Sequence, residues 1–242
     1  MMSKSAAGTW NLWKGRAKYL RKALKATIGE APGDCPVCGY SGRFVNAGTP
    51  AVMDAKCPAC NATPRHRLLT LLLDRDGLIP AGSDILHFAA ERFMGPVIHR
   101  TGPRSYVTAD LKPGFDLQLN IEKLALADQS FDVVICSHVL EHVDDRQALR
   151  EIHRVLRPGG RAILMVPIIE GWDATYEDTA ISDYRKRKLH FGGGTHVRFY
   201  GRDFRDRITA TGFGLAEYTM TPAEAMRYRL LRGERVFLAS KG

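Results

Sequence analysis

The chain has 242 residues, a formal net charge of +9, and 45% apolar and 25% charged residues, the balance of a globular protein able to bury a full core. No stretch reaches the roughly 18 uninterrupted apolar residues of a membrane span, and the N-terminus lacks the apolar run and small-residue cleavage site of a secretory signal. A cytoplasmic protein is predicted, so the five cysteines call for an explanation other than disulfides.

Residues 1–30 hold Lys4, Lys14, Arg16, Lys18, Arg21, Lys22 and Lys25 against a single acid, Glu30. Trp10, Trp13, Ala17, Leu20, Leu24 and Ile28 recur at steps of three or four, which predicts a basic amphipathic helix over 9–28. Its apolar stripe either packs on the protein's own body or makes peripheral contact with a membrane surface. A nucleic acid or an acidic protein would also suit the charge.

Residues 31–63 form a module rich in Gly, Pro and Cys with little apolar periodicity. Cys35, Cys38, Cys57 and Cys60 make two CPxC pairs separated by 18 residues, the spacing of a structural zinc site. Two tight turns would each present two thiolates, and four thiolates close a tetrahedron with no position left for catalysis. Metal binding would then supply folding free energy that so small a core lacks. A pair of disulfides and a redox CxxC are the rival readings. His66 lies close enough in sequence to compete for the metal, but the fourth cysteine makes it unnecessary. Cys136 reads as a buried core residue.

From Pro64 to about Gly77 the sequence RHRLLTLLLDRDG predicts a helix that opens the remaining domain, residues 64–242. Strands are predicted at Asp84–Phe88, Ser105–Ala109, Phe131–Cys136, Arg161–Val166, Gly214–Tyr218 and Arg235–Ala239, with a weaker one at Asp116–Leu119. A helix over Asp144–Leu156 has Asp144 as its N-cap and Pro158-Gly159-Gly160 as its stop; another spans Gly201–Ala210. Alternating strands and helices imply a doubly wound, mostly parallel α/β sheet, which binds ligands at the carboxyl ends of its strands.

The run FDVVICSHVLEHVDDRQALREIHRVLRPGGRAILMVP, with YVTADL before it and HVRFYGRDFRDRITATGFG after it, resembles the class I S-adenosylmethionine-dependent methyltransferases, in particular their type 11-like branch. The resemblance covers residues 80–242 and implies a Rossmann-like, seven-stranded sheet. It implies that Asp110, followed by Leu111, accepts hydrogen bonds from the cofactor's ribose hydroxyls, a task suited to a carboxylate. Asn120 would meet the adenine amino group, Ile121 would offer its backbone amide to the ring, and Ser137 and His138 would line the cofactor and substrate mouth. The sequence departs from the family at the first strand. There His87 replaces an acidic residue and Ala89, Glu91 and Phe93 replace the three glycines of a GxGxG loop. Ala89 still permits a tight turn, and Glu91 could meet the cofactor's amine. Lowered cofactor affinity and a dead site both remain open.

Methyl transfer needs its acceptor held close and aligned, and a hydroxyl acceptor also needs a base. His138, His142 and His196 are the candidates, each with a purely structural alternative. Arg198 and Tyr200 would bind an anionic or sugar-like acceptor, and Trp172–Lys188 would form part of a lid. The leading expectation is a methyltransferase acting on a small molecule or saccharide at oxygen or nitrogen. An RNA methyltransferase using a zinc ribbon, and a degenerate binding module, are the alternatives.

Overall fold

The computed structural model describes residues 16, 17, 20, 27–48 and 52–242. Of the helix expected over 9–28, Arg16, Ala17 and Leu20 are helical; most of it, with both tryptophans, lies outside the described residues. No helix among the described residues is long and apolar enough to cross a membrane. The chain divides into two compact units. One runs to Arg67 and takes in Pro222–Leu230; the other comprises Leu68–Thr221 and Leu231–Gly242.

The smaller unit is built on an antiparallel sheet in the order β1 (Ile28–Asp34), β2 (Ser41–Ala47), β3 (Val52–Lys56). Its core is slight: Phe44, Ala55 and Ala62 are buried beside Cys35 and Cys57. Sequence order alone would assign Pro222–Leu230 to the α/β domain, yet the contacts place it here. Arg227 Nε donates to Asp34 Oδ2 at 2.7 Å and Arg229 Nη2 to the Pro32 carbonyl at 2.6 Å. Gly33 permits this approach, since a Cβ there would come within 3.0 Å of the Arg227 carbonyl. The Arg67 guanidinium is wholly buried and lies 4.5 Å from the Phe44 ring centroid.

The larger unit is a seven-stranded sheet. Its strands are β4 (Asp84–Phe88), β5 (Ser105–Asp110), β6 (Leu117–Gln118), β7 (Phe131–Ser137), β8 (Leu156–Met165), β11 (Phe213–Tyr218) and β12 (Val236–Lys241), in the order β11-β12-β8-β7-β4-β5-β6. Only β12 runs antiparallel to its neighbours. This is the Rossmann-like sheet the sequence predicts. β4, β7 and β8 are nearly continuous apolar runs because helices and loops cover both faces of a parallel sheet, and Leu86, Val134 and Leu164 are wholly buried.

The helix Asp145–Val155 buries Ala148, Leu149, Ile152 and Val155 on one stripe. Asp144 caps it, accepting the Gln147 amide at 3.0 Å. Two boundaries differ from expectation. The helix passes directly into β8 at Leu156, five residues before the predicted strand, so Pro158-Gly159-Gly160 forms an irregularity inside that strand. A Cβ at Gly160 would come within 2.8 Å of the Arg157 carbonyl, which is why glycine stands there. The predicted Gly201–Ala210 helix shrinks to Phe204–Thr209. The expected lid segment contains β9 (Tyr176–Glu177), paired with β10 (Arg198–Phe199), and the helix Tyr184–Phe191 begins within it.

Candidate functional site

At the carboxyl ends of β4, β5 and β7 the larger unit opens a cleft of about 380 Å³, lined by Ala89, Asp110, Asn120, Ile121, His138 and His142 among others. Two left-handed residues shape it. Ala89 (φ +51°) and His138 (φ +56°) turn the chain sharply as it leaves β4 and β7. L-residues adopt this conformation at a cost of about 1–2 kcal/mol, which is why glycine is usual. The Ala89 amide donates to Ala109 O at 2.8 Å and the His138 amide to Met165 O at 2.8 Å, so each turn is tied to a neighbouring strand. The turn after β4 therefore keeps a glycine-like backbone without its glycine.

Asp110 ends β5. Its Oδ1 accepts the Lys112 amide at 2.8 Å, which fixes the carboxylate, and Oδ2 has no partner among the described residues. Asn120 spends its side-chain oxygen on the Glu122 amide at 2.9 Å, so that oxygen holds the loop that carries Ile121. Ile121 is buried beneath the cleft, while Leu111 stands 66% exposed beside it. Ser137 Oγ, at the end of β7, is a buried oxygen with no hydrogen-bond partner.

Two residues expected at the cofactor lie elsewhere. His87 is buried with Nδ1 3.0 Å from the Tyr106 hydroxyl, because alternate residues of a strand face opposite sides and Phe88, not His87, lines the cleft. Burial pushes the Tyr106 hydroxyl up to about 12, keeping it protonated. Glu91 precedes the 3₁₀ turn Arg92–Met94 and lines a separate cleft with Tyr106, Thr108 and Gly114.

The three candidate histidines do converge, around a residue that sequence reasoning missed. Glu141 is wholly buried. Burial alone would raise its carboxyl, but the His138 hydrogen bond holds it below the ordinary range. His138 Nδ1 lies 3.1 Å from Glu141 Oε1, while Glu141 Oε2 has no partner. The His142 and His196 rings meet edge-to-face at 4.7 Å, and burial pushes the His196 imidazole down.

Arg198 and Tyr200, expected to bind the acceptor, face inward instead. Arg198 Nη1 donates to Leu140 O at 2.9 Å and Val143 O at 2.5 Å, and its Nε donates to Glu177 at 2.9 Å. The Tyr200 hydroxyl donates to Asp145 at 3.0 Å and is 0% exposed. Arg207 completes the network with donations to Asp145 at 3.0 Å and Glu177 at 2.9 Å. Buried charges persist when paired and fully hydrogen-bonded in this way. Arg198 thus clamps the Leu140–His142 turn that carries Glu141; it has no fork free for a carboxylate or phosphate.

In the smaller unit the four cysteines converge. Cys35 and Cys60 sulfurs lie 3.7 Å apart, as do those of Cys38 and Cys57. A tetrahedron with zinc–sulfur bonds of about 2.3 Å has edges of about 3.8 Å, so the donor set fits Zn²⁺. Each pair sits in a turn closed by the same bonds. The Cys35 amide donates to Tyr40 O at 2.7 Å and the Cys57 amide to Ala62 O at 3.0 Å. Left-handed Gly39 (φ +77°) and Asn61 (φ +64°) complete the turns. Burial pushes the Cys35 thiol up to about 11. His66 stays out of this cluster, its Nδ1 accepting the Thr63 amide at 3.1 Å. Cys136 is buried in the sheet and its thiol is raised by that burial.

Residues 100–164, which include Asp110 and the whole run from β7 into β8, match the family described as "Methyltransferase domain". Among curated relatives, the ubiquinone/menaquinone biosynthesis C-methyltransferase UbiE of Klebsiella pneumoniae (strain 342) is 42% identical over 65 residues, 25% of this chain and 26% of that protein. The UbiE of Hahella chejuensis is 50% identical over 50 residues, 20% of each. The chain thus spans about a quarter of the length of the curated relatives it matches. Among solved structures, the YcgJ protein from Bacillus subtilis superposes with a TM-score of 0.51 at 15% identity, covering 72% of this chain and 98% of that one. An S-adenosylmethionine dependent methyltransferase from Mesorhizobium loti gives 0.50 at 18% identity, with the same coverage. The α/β unit therefore has the fold of these proteins.

Proposed function

We propose that the chain is an S-adenosylmethionine-dependent methyltransferase that methylates oxygen or nitrogen of a small-molecule or saccharide acceptor, with Zn²⁺ bracing its smaller unit through Cys35, Cys38, Cys57 and Cys60. The observation that carries the reading is the Asp110 carboxylate. It stands at the end of the second parallel strand, held by one oxygen and open at the other, in a cleft at the carboxyl edge of the sheet. The methyltransferase-domain match spans this residue.

The residues present fit the cofactor. Asp110 Oδ2 would take the ribose hydroxyls, and the unpartnered Ser137 Oγ offers a donor and acceptor at the end of β7. The apolar Ile121 and Val139 flank the cleft, where an adenine ring would find a dry surface. The bound cofactor would supply an electrophilic methyl group on a sulfonium. His138 and His142, which line the same cleft, would hold the acceptor and take its proton; His138 is kept in place by its bond to Glu141. Glu177, itself held by Arg207, anchors Arg198, which fixes the turn carrying these groups. Alignment of this kind supplies most of the acceleration in a displacement.

Calorimetric titration of the zinc-loaded chain with S-adenosylmethionine and S-adenosylhomocysteine tests the reading. Dissociation constants on the order of 1–100 μM are expected. Asp110→Ala removes charge-assisted bonds that contribute about 1.5–3 kcal/mol each, so binding should weaken at least ~100-fold. A folded chain that binds neither ligand would leave the degenerate binding module as the better account.

A further inference from the structure

Glu141 presents an unusual combination: a wholly buried carboxylate with one oxygen unpartnered. A buried carboxylate oxygen without a partner is costly, and Arg198, the nearby buried cation, is committed to Leu140 O, Val143 O and Glu177. Beside Glu141 stand two imidazoles. Glu141, His142 and His196 each offer a ligand atom, and all three atoms lie within 4.8 Å of one another.

The histidine geometry points the same way. His196 Nδ1 lies 3.0 Å from the Phe191 carbonyl. A carbonyl only accepts, so Nδ1 carries the proton and Nε2 keeps its lone pair. Metal-binding histidines are commonly oriented by such a bond. Gly193 lets the backbone pack closely on this ring and hold its orientation, since a Cβ there would come within 2.5 Å of Cδ2 and 2.6 Å of Nε2. The other carboxylate oxygen of Glu141 is oriented by His138 at 3.1 Å, the kind of outer support that ligating carboxylates receive.

We propose that Glu141, His142 and His196 bind a divalent first-row transition ion, with His138 as the positioning residue for the carboxylate. Two imidazoles and one carboxylate suit Zn²⁺, Co²⁺, Fe²⁺ or Mn²⁺ and leave coordination positions open. Because His142 also lines the Asp110 cleft, a bound ion would border the place where an acceptor would sit. On the methyltransferase reading, a metal-bound His142 holds the acceptor through the ion and leaves the proton to His138, and the acceptor is narrowed to one that presents a metal-coordinating oxygen, such as a hydroxyl or carboxylate.

The test titrates the full chain, its cysteine cluster already filled with Zn²⁺, with Co²⁺ followed by calorimetry and visible absorption. One further Co²⁺ per chain is expected, with ligand-field bands and without the intense thiolate charge-transfer bands of a cysteine site. Glu141→Gln and His142→Ala should each weaken this binding by more than about 10-fold. His142 is exposed, so its truncation spares the fold even if the buried Glu141→Gln does not. His138→Gln, which still offers a hydrogen bond, should weaken it less than either. No Co²⁺ beyond the thiolate site, or unchanged affinity in His142→Ala, overturns the proposal. S-adenosylmethionine affinity measured on the same samples separates the two readings. Asp110-dependent cofactor binding without Co²⁺ binding sinks only the metal site, whereas Co²⁺ binding without cofactor binding leaves the site standing and sinks the enzyme.

Discussion

Arg67 offers the sharpest physical test of how the smaller unit holds together. Its side chain has no exposed surface, and its donors reach five backbone carbonyls. Nε donates to Tyr228 O at 2.8 Å, Nη1 to Ala62 O at 2.7 Å and Ala55 O at 3.3 Å, and Nη2 to Asp54 O at 2.9 Å and Arg229 O at 2.6 Å. One residue thus joins the third strand, the second cysteine turn and the returning segment 228–229. Charge-assisted bonds contribute about 1.5–3 kcal/mol each, or roughly 8–15 kcal/mol in gross terms. Desolvating a guanidinium costs several kcal/mol of that, and breaking such a buried network by removing one partner typically costs about 3–5 kcal/mol. Arg67→Met should therefore raise the open fraction of this unit by roughly two to four orders of magnitude. Arg67→Lys should recover little, because a point charge with three donors cannot replace a planar fork. Native-state amide exchange of β1–β3 measures the effect directly, with β4 and β7 as internal reference. Protection of β1–β3 unchanged in Arg67→Met would refute the reasoning.

Three further outcomes follow from the same structure. Arg104, then Ser105 and Arg157, hold the Asp84 carboxyl well below the ordinary carboxylate range, so its stabilisation is present above the unfolded value of about 3.9 and is lost as pH falls toward the folded one. Asp84→Asn should lower stability at pH 7 and flatten its decline below about pH 4, read by denaturant unfolding across pH; an unchanged slope would contradict the pairing. Ala89→Gly relieves a left-handed alanine, worth about 1–2 kcal/mol, against about 0.4–1 kcal/mol of added unfolded-state entropy. The net is a gain of roughly 0–1.5 kcal/mol in thermal unfolding, and a clear loss would show that the turn is not strained. Cys57→Ser should cut zinc affinity at least about 100-fold and expose β1–β3 to proteolysis while the larger sheet keeps its melting transition. Retained stoichiometric zinc by elemental analysis would argue against the four-thiolate site.

Much of the architecture is legible locally. The segments Asp84–Phe88 and Phe131–Cys136 read as strands of a mostly parallel sheet, and both formed within a residue of expectation. The CPxC pairs met because each cysteine turn closes through its own backbone, Cys35 with Tyr40 and Cys57 with Ala62. Asp144 capped its helix for the same short-range reason. Boundaries failed where tertiary pairing overrode local signals: Pro158-Gly159-Gly160 reads as a break, yet β7 draws Leu156 into the sheet ahead of it.

The site was legible as a set of residue types but not as a division of labour. His138, His142 and His196 stand out in the sequence, whereas Glu141, though it lies within the LEH run, receives no role there because its burial and its bond to His138 are set by the fold. Arg198 reads as a ligand-binding fork, and nothing near it in the chain announces that Leu140, Val143 and Glu177 absorb its donors. Arg67 looks like one basic residue among several, while two of its partners lie more than 160 residues away. Periodicity, turn chemistry and thiol spacing depend on neighbours within a few residues, so the sequence by itself determined the strands of the larger sheet, the cysteine cluster and the sheet class, but not the three-stranded sheet of the smaller unit. Whether a charged side chain is solvated, paired or left with an open oxygen depends on distant parts of the chain, and only the tertiary structure decided it.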